Sequence, residues 1–314
     1  MECTAVFRFL LIGCLSLWGI SAQAQVQILT SIKPLQLIAA AIQDGQGKPQ
    51  VLLPPGASPH YFVLRPSDAK RLDKADLFYW IGPDLENFLP RLLKQRSQLS
   101  VAVQSLPELH LQYFGDDHQH ADAHADPHEH DVIAHDHAHQ PGTVDTHLWL
   151  LPHNAAVIAQ RISADLSERD PAHAKLYAAN LHAFTQRLEH LDQQLKAQLE
   201  PLQDKSFFVF HEAFNYFEHA YGLQHAGVFA LSGELQPGAK HVHQMRTRLQ
   251  QAGPSCVFSE PPIQPRLAHT LADGLPVTLA ELDALGATVA VSSKGYEQLL
   301  ENLALQFSAC LSAL

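Results

Sequence analysis

From residue 26 onward, short apolar runs alternate with amphipathic stretches. VQILTS (26–31), QVLL (50–53), DLFYWIG (76–82) and LSVAV (99–103) are apolar runs bounded by turn residues. That pattern predicts strands buried on both faces. Between them, Lys33 to Gln43, Pro66 to Ala75 and 84–96 read as helices, with Pro34 and Pro66 in first turns. A βαβα series of this kind predicts a parallel sheet covered by helices. The pattern returns after residue 202. FFVFH (207–211), HAGVFAL (225–231), SCVFSE (255–260) and PVTLAEL (276–282) read as strands. Helices are expected over Glu212–Ala220, 238–252, Gln264–Asp273 and Tyr296–Leu311.

Between the two series lies one long amphipathic segment, residues 170–201. Asp170 is its expected N-cap and Pro171 its first helical residue. Leu176, Leu181, Phe184, Leu188, Leu191, Leu195 and Leu199 form a single apolar stripe, and Pro201 ends it. The expected fold class is therefore α/β: two parallel-sheet lobes (25–169 and 202–314) joined by one long rigid helix, with any ligand in the inter-lobe cleft.

The N-terminus changes the picture. Arg8 precedes the apolar run Phe9–Ile20, and Ser21-Ala22-Gln23-Ala24 is an A-x-A cleavage pattern. Residues 1–24 are expected to be a signal peptide, and the run is shorter than the roughly 20 residues of a membrane span. Leu11-Ile12-Gly13-Cys14 also resembles a lipoprotein signal, but it lies too close to Arg8 for a working apolar core. Removal of 24 residues from 314 leaves Cys256 and Cys310 in a compartment where disulfides persist. One pairing is possible, tying the last helix to a strand. Two metal-binding thiolates are the alternative, without a CxxC spacing to favour them. The net charge of −11 argues against nucleic acid.

The chemistry lies in the histidines. Residues 115–140 read GDDHQHADAHADPHEHDVIAHDHAHQ and hold eight of them: His118, His120, His124, His128, His130, His135, His137 and His139. So few apolar residues predict a mobile loop. Imidazole and carboxylate together predict metal contact by this loop, a secondary metal site, without selecting among Zn, Cu and Ni. Thirteen further histidines lie outside it. Most need no function: His173, His182 and His190 on the long helix, His241 and His243 at a helix start, and His110, His219, His225 and His269, which lack a partner pattern. Three stand apart. His60 ends the turn Pro54-Pro55-Gly56-Ala57-Ser58-Pro59-His60 after a strand, His147 precedes the apolar segment Leu148-Trp149-Leu150, and His211 ends FFVFH. Ligands of open α/β sheets bind beyond the carboxyl ends of strands, so these three can converge in the cleft. Three histidines leave one position of a Zn(II) tetrahedron for Asp283 or water.

Four segments carry a resemblance over nearly the whole mature chain: GASPHYFVLRPSDAKRLDKADLFYWIGPDLE (56–86), THLWLLP (146–152), FFVFHEAFNYFEHAYGL (207–223) and CVFSEPPIQP (256–265). On them the chain resembles the metal-specific solute-binding proteins of bacterial ABC importers, the cluster A-I type, and within it the zinc branch. The resemblance implies a periplasmic monomer that binds Zn(II) through His60, His147 and His211, with Asp283 at the fourth position. It would deliver the ion, and no small organic substrate, to an ABC permease. The manganese branch carries a carboxylate where His211 stands. Pro59 departs from members with Glu before the first histidine, and Glu212 is expected to be a first-turn charge, not a ligand. Outside the family, a secreted zinc hydrolase with three histidines and water is the alternative. An adhesin or scavenger role could be added to transport.

Overall fold

The computed structural model describes residues 25–115, 141–230, 239–261 and 266–314. The expected signal peptide 1–24, Cys14, and the tract histidines His118 to His139 lie outside the described residues. The first lobe has strands β1 (Ile28–Thr30), β2 (Gln50–Val51), β3 (Leu77–Trp80) and β4 (Leu99–Ala102). Its helices are α1 (Lys33–Ile42), α2 (Pro66–Lys74) and α3 (Pro90–Leu93). Helices α4 (Pro152–Arg169) and α5 (Ala174–Leu199) lead to the second lobe. That lobe has β5 (Phe207–His211), β6 (Val228–Ala230), β7 (Ser255–Ser259) and β8 (Val277–Glu281), with helices α6 (Asn215–Tyr221), α7 (Ala239–Ala252), α8 (Arg266–Ala272) and α9 (Gly295–Leu311). All strand pairs are parallel, and the two sheets share one order, β2-β1-β3-β4 and β6-β5-β7-β8. Each therefore has a topological switch point, between β1 and β3 and between β5 and β7, where a ligand crevice forms.

The long helix expected between the lobes is present as α5, and a second helix packs along it. Helix α4, which periodicity did not reveal, lies along α5 with Ala155, Ile158, Ala159, Ile162 and Leu166 buried, a spacing of three and four that makes one face. Asp170 caps no helix in the expected way. Its N–H donates to Leu166 O and closes α4, and its carboxylate accepts 2.7 Å bonds from Tyr177 Oη and His173 Nδ1. A 3₁₀ turn, Pro171–His173, then starts α5. Helices α1, α4, α5 and α9 form a shared layer, and one apolar cluster runs from Leu29 and Phe78 through Phe184 and Leu195 to Phe207 and Phe307. The layer is tight. A Cβ at Gly295 would lie 2.7 Å from Leu37 of α1 and 2.8 Å from Ala290 O. Across it, Arg187 Nε donates to Glu297 at 2.7 Å and Arg187 Nη2 to Ser293 O at 2.7 Å.

The helix expected over 84–96 shrinks to the single turn α3. Glu86, fully buried, turns its carboxylate back to accept the N–H groups of Ile81 and Gly82, which shapes a turn at the exit of β3. Pro90 has no N–H to continue a helix from that turn. Among the described residues, no helix is long and apolar enough to cross a membrane. Cys256 of β7 and Cys310 of α9 form a disulfide, 54 residues apart in sequence. It fastens the last helix of the inter-lobe layer to the second sheet. In the chain-entropy description a loop of that length contributes about 4 kcal/mol. Replacing both cysteines by alanine should lower the urea midpoint by a corresponding amount without changing far-ultraviolet dichroism, and reductant should then have no further effect on the variant.

Candidate metal centre

Each of three histidines is placed by a different device. After β2, Leu52 and Leu53 continue the pairing through N–H bonds to Thr30 O and Ser31 O. Ala57 N then donates to Pro54 O, with Pro55 and Gly56 (φ 77°) at the corner. A left-handed residue following proline is the requirement of a type II turn, and glycine meets it without strain. The turn brings His60 over the carboxyl end of the first sheet. His147 stands before the 3₁₀ turn Leu148–Leu150, whose three residues are fully buried. Trp149 anchors that turn across the lobes. Its Nε1 donates to Ala284 O at 2.9 Å, and Tyr296 Oη donates to Trp149 O at 2.6 Å. His211 is the last residue of β5.

The structure brings these three together. Each offers a ring nitrogen, and the three nitrogens lie within 4.8 Å of one another. Ring centroids are 5.6 Å apart for His60 and His147, 5.4 Å for His60 and His211, and 5.1 Å for His147 and His211. Two of the rings are oriented by carboxylates. Asp145 Oδ1 accepts from His147 Nδ1 at 2.7 Å and from the His147 N–H at 2.9 Å. Glu260 Oε1 faces His211 Nδ1 at 2.7 Å. A carboxylate at Nδ1 holds the hydrogen there and leaves the Nε2 lone pair for an ion. Asp145 is itself positioned by Tyr216, whose Oη accepts from Gln112 N and donates to Asp145 O, both at 2.9 Å.

Asp145 and Glu260 escaped sequence reasoning. Glu260 is 49 residues from His211, yet strand register contains the signal: Phe207 faces Cys256 and Val209 faces Phe258. The same offset carried forward puts His211 opposite Glu260 at the second switch point. Asp283 does not join the three histidines within 4.8 Å. Its carboxylate accepts from Leu285 N at 3.1 Å and Ala287 N at 2.8 Å, shaping the loop that meets Trp149. Glu212 does not occupy the first turn of a helix, because α6 begins only at Asn215; Glu212 accepts instead from Asn215 Nδ2 at 3.3 Å. His225 is buried and bound to Glu218, with Nδ1 2.8 Å from Oε2.

The site's electrostatics divide the histidines. Burial, and then the proximity of His211 and His147, holds His60 well below the ordinary histidine range. Burial also opposes a charge on His211, but attraction and a hydrogen bond from Glu260, with attraction from Asp145 and Glu212, outweigh it and raise that ring above the ordinary value. A proton therefore competes with an ion more strongly at His211 than at His60. In histidine NMR titrations of the metal-free protein, His60 should titrate below and His211 above the ordinary midpoint of about 6.5. Glu260→Gln should lower the His211 midpoint. The reverse order in the wild type would contradict this division.

Comparison with known proteins adds an independent line. Residues 28–310 match the family described as ZnuA, zinc-uptake complex component A, periplasmic. The chain is 38 % identical over 294 residues to the high-affinity zinc uptake system protein ZnuA of Yersinia pestis, covering 92 % of each. It is 32 % identical over 316 residues to that of Haemophilus influenzae, covering 92 % of this chain and 94 % of the relative. A crystal structure of ZnuA superposes with a TM-score of 0.73 at 24 % identity, covering 92 % of this chain and 100 % of the other. A zinc-bound ZnuA deletion mutant superposes with the same score, covering 93 % and 100 %. These structural likenesses establish the shared two-lobed fold.

Proposed function

Because this chain belongs to the family of ZnuA, the periplasmic component of zinc-uptake complexes, we propose that it captures Zn(II) in its inter-lobe cleft and delivers it to the permease of an ABC importer. The chain is a binding component of an uptake system and not an enzyme, which sets aside the hydrolase alternative. The observation that carries the reading is the convergence of His60, His147 and His211 from both lobes. Three imidazoles suit Zn(II), and the histidine at 211, in place of a carboxylate, favours zinc over manganese. Three protein ligands also leave a coordination position through which the ion can exchange, as a carrier requires.

Water is the proposed fourth ligand, since the Asp283 carboxylate does not join the three ring nitrogens within 4.8 Å. Residues 1–24 are proposed to direct export and to be removed after Ala24, and the mature chain to act as a monomer. The histidine tract is proposed to gather ions weakly and pass them to the cleft.

Zinc titration against a competing chelator tests these assignments. The wild type should show one tight equivalent. His211→Ala should weaken it by more than the roughly 10–100-fold that loss of a ligand's hydrogen-bond partner costs. Asp283→Ala should leave it within a few-fold; a loss as large as that of His211→Ala would make Asp283 a ligand. Deleting residues 116–140 should remove weaker equivalents and spare the tight one. Disappearance of the tight equivalent would place the main site in the tract.

A further inference from the structure

His147 belongs to the first lobe by sequence, yet the second lobe holds the backbone on either side of it. Tyr216, fully buried in α6, donates from Oη to Asp145 O at 2.9 Å. Beyond the histidine, Tyr296 Oη donates to Trp149 O at 2.6 Å and Trp149 Nε1 to Ala284 O at 2.9 Å. The first lobe adds a bond from Asn154 Nδ2 to Leu148 O at 3.1 Å and the pairing of residues 112–114 with 143–145. Tyr216 enters that pairing itself. Tyr113 and Val144 form an antiparallel bridge, flanked by bonds from Phe114 N to Thr143 O and from Asp145 N to Gln112 O, both 2.9 Å. In an antiparallel ladder Gln112 and Asp145 would exchange two bonds. The return bond runs through the phenol instead: Gln112 N donates to Tyr216 Oη, which donates to Asp145 O, at 2.9 Å each.

The inserted hydroxyl sets the distance between the two paired segments, and so the place of Asp145. That placement is passed to the ligand, because Asp145 Oδ1 accepts both the His147 N–H and the His147 Nδ1–H. Without the hydroxyl, Gln112 N and Asp145 O either lose their partner or close on each other. Both outcomes shift the carboxylate, and a hydrogen bond weakens steeply as its angle closes. Burial, and then the charge of Asp145, raise the Tyr216 phenol above its ordinary value, so its hydrogen stays in place for donation. Tyr216 also follows His211 in the same strand–turn–helix unit, β5 to α6.

We propose that Tyr216 is a positioning residue for zinc binding: through Asp145 it fixes the His147 ring with Nε2 toward the ion. Two of the three ligands then depend on one unit of the second lobe. The β5–α6 unit presents His211 directly and His147 at one remove, whereas His60 is carried by the turn after β2. The metal is that of the carrier reading, on which this role rests; the orientation of His147 rests on the hydrogen bonds alone. Loss of the hydroxyl should weaken zinc binding about tenfold, the lower end of the range for a ligand's own hydrogen-bond partner, since Tyr216 acts one bond further out.

The test compares the full wild-type chain with Tyr216→Phe in two measurements. One is zinc titration against a competing chelator. The other is long-range ¹H–¹⁵N spectra of the metal-free, ¹⁵N-histidine-labelled protein at about pH 8, above the ordinary histidine midpoint. The His147 ring is assigned by its loss in His147→Ala. In the wild type it should carry hydrogen on Nδ1 alone. In Tyr216→Phe zinc binding should weaken about tenfold and His147 should show a mixture of tautomers, with the His211 pattern unchanged. A purely structural role would lower the melting temperature and leave the His147 tautomer alone. In Asp145→Ala, which has no carboxylate to place, adding Tyr216→Phe should cost less than about twofold; a full tenfold loss there would overturn the proposal. So would affinity within about twofold of wild type in the single variant, or a weakened site with an unchanged His147 signal. Should Tyr216→Phe not fold, the wild type decides. A protected Tyr216 hydroxyl proton with His147 hydrogen on Nδ1 supports the role, and a freely exchanging hydroxyl or hydrogen on Nε2 overturns it. A wild type without tight zinc binding would overturn the carrier reading, while the tautomers of the metal-free protein still decide the role of Tyr216.

Discussion

Three imidazoles, one in a loop after the first sheet, one before a 3₁₀ turn and one at the end of a strand of the second sheet, are held facing one point. Isolated histidines on a surface bind an ion poorly, because each ring must lose its rotational freedom and its water for a single bond. Here that loss is met during folding. A type II turn fixes His60, a buried 3₁₀ turn fixes His147, and the last strand residue fixes His211. Asp145 and Glu260 then choose the nitrogen that each ring presents. The negative carboxylates have a second effect: they favour a charged partner in the site, proton or metal, and thereby make the two compete.

The inter-lobe layer gives this geometry its rigidity. Helices α1, α4, α5 and α9 share one apolar cluster, so the lobes cannot separate without exposing core. The contacts nearest the site reinforce it. Trp149 lies 5.3 Å from the His147 ring and bonds across the lobes to Ala284 and Tyr296. A molecule built this way resists wide opening of its lobes about a flexible crossover. The repeated sheet order sets a ligand crevice at the carboxyl edge of each lobe.

Much of this was legible in the sequence. Among the described residues, apolar runs located all eight strands: the buried β1, β3 and β7 have no polar phase to obscure them, and the more exposed β2 and β8 were found by apolar content alone. The His60, His147 and His211 positions were legible because each borders such a run: His60 and His211 at its end, His147 at its start. Elements whose character depends on partners were not. Helix α4 carries Asp165 and Asn154 on its buried side, where Tyr79 and the His110 backbone satisfy them, so its stripe looks broken in one dimension. The helix expected over 84–96 gave way to a turn organised by a single buried glutamate. Glu260 became visible as a partner of His211 only through the β5–β7 register, and the Asp283 carboxylate is occupied by N–H groups of residues two and four further on. The resemblance to zinc-binding importers pointed to the cleft, while the hydrogen bonds that orient its ligands required the fold.

The most direct test of the central claim is a zinc-edge anomalous difference map of the full chain crystallised with one equivalent of zinc. The account predicts a single strong peak about 2.0–2.1 Å from Nε2 of His147, Nε2 of His211 and a ring nitrogen of His60, in tetrahedral geometry. A zinc peak held by any other residues, with these three rings turned away from it, would contradict it.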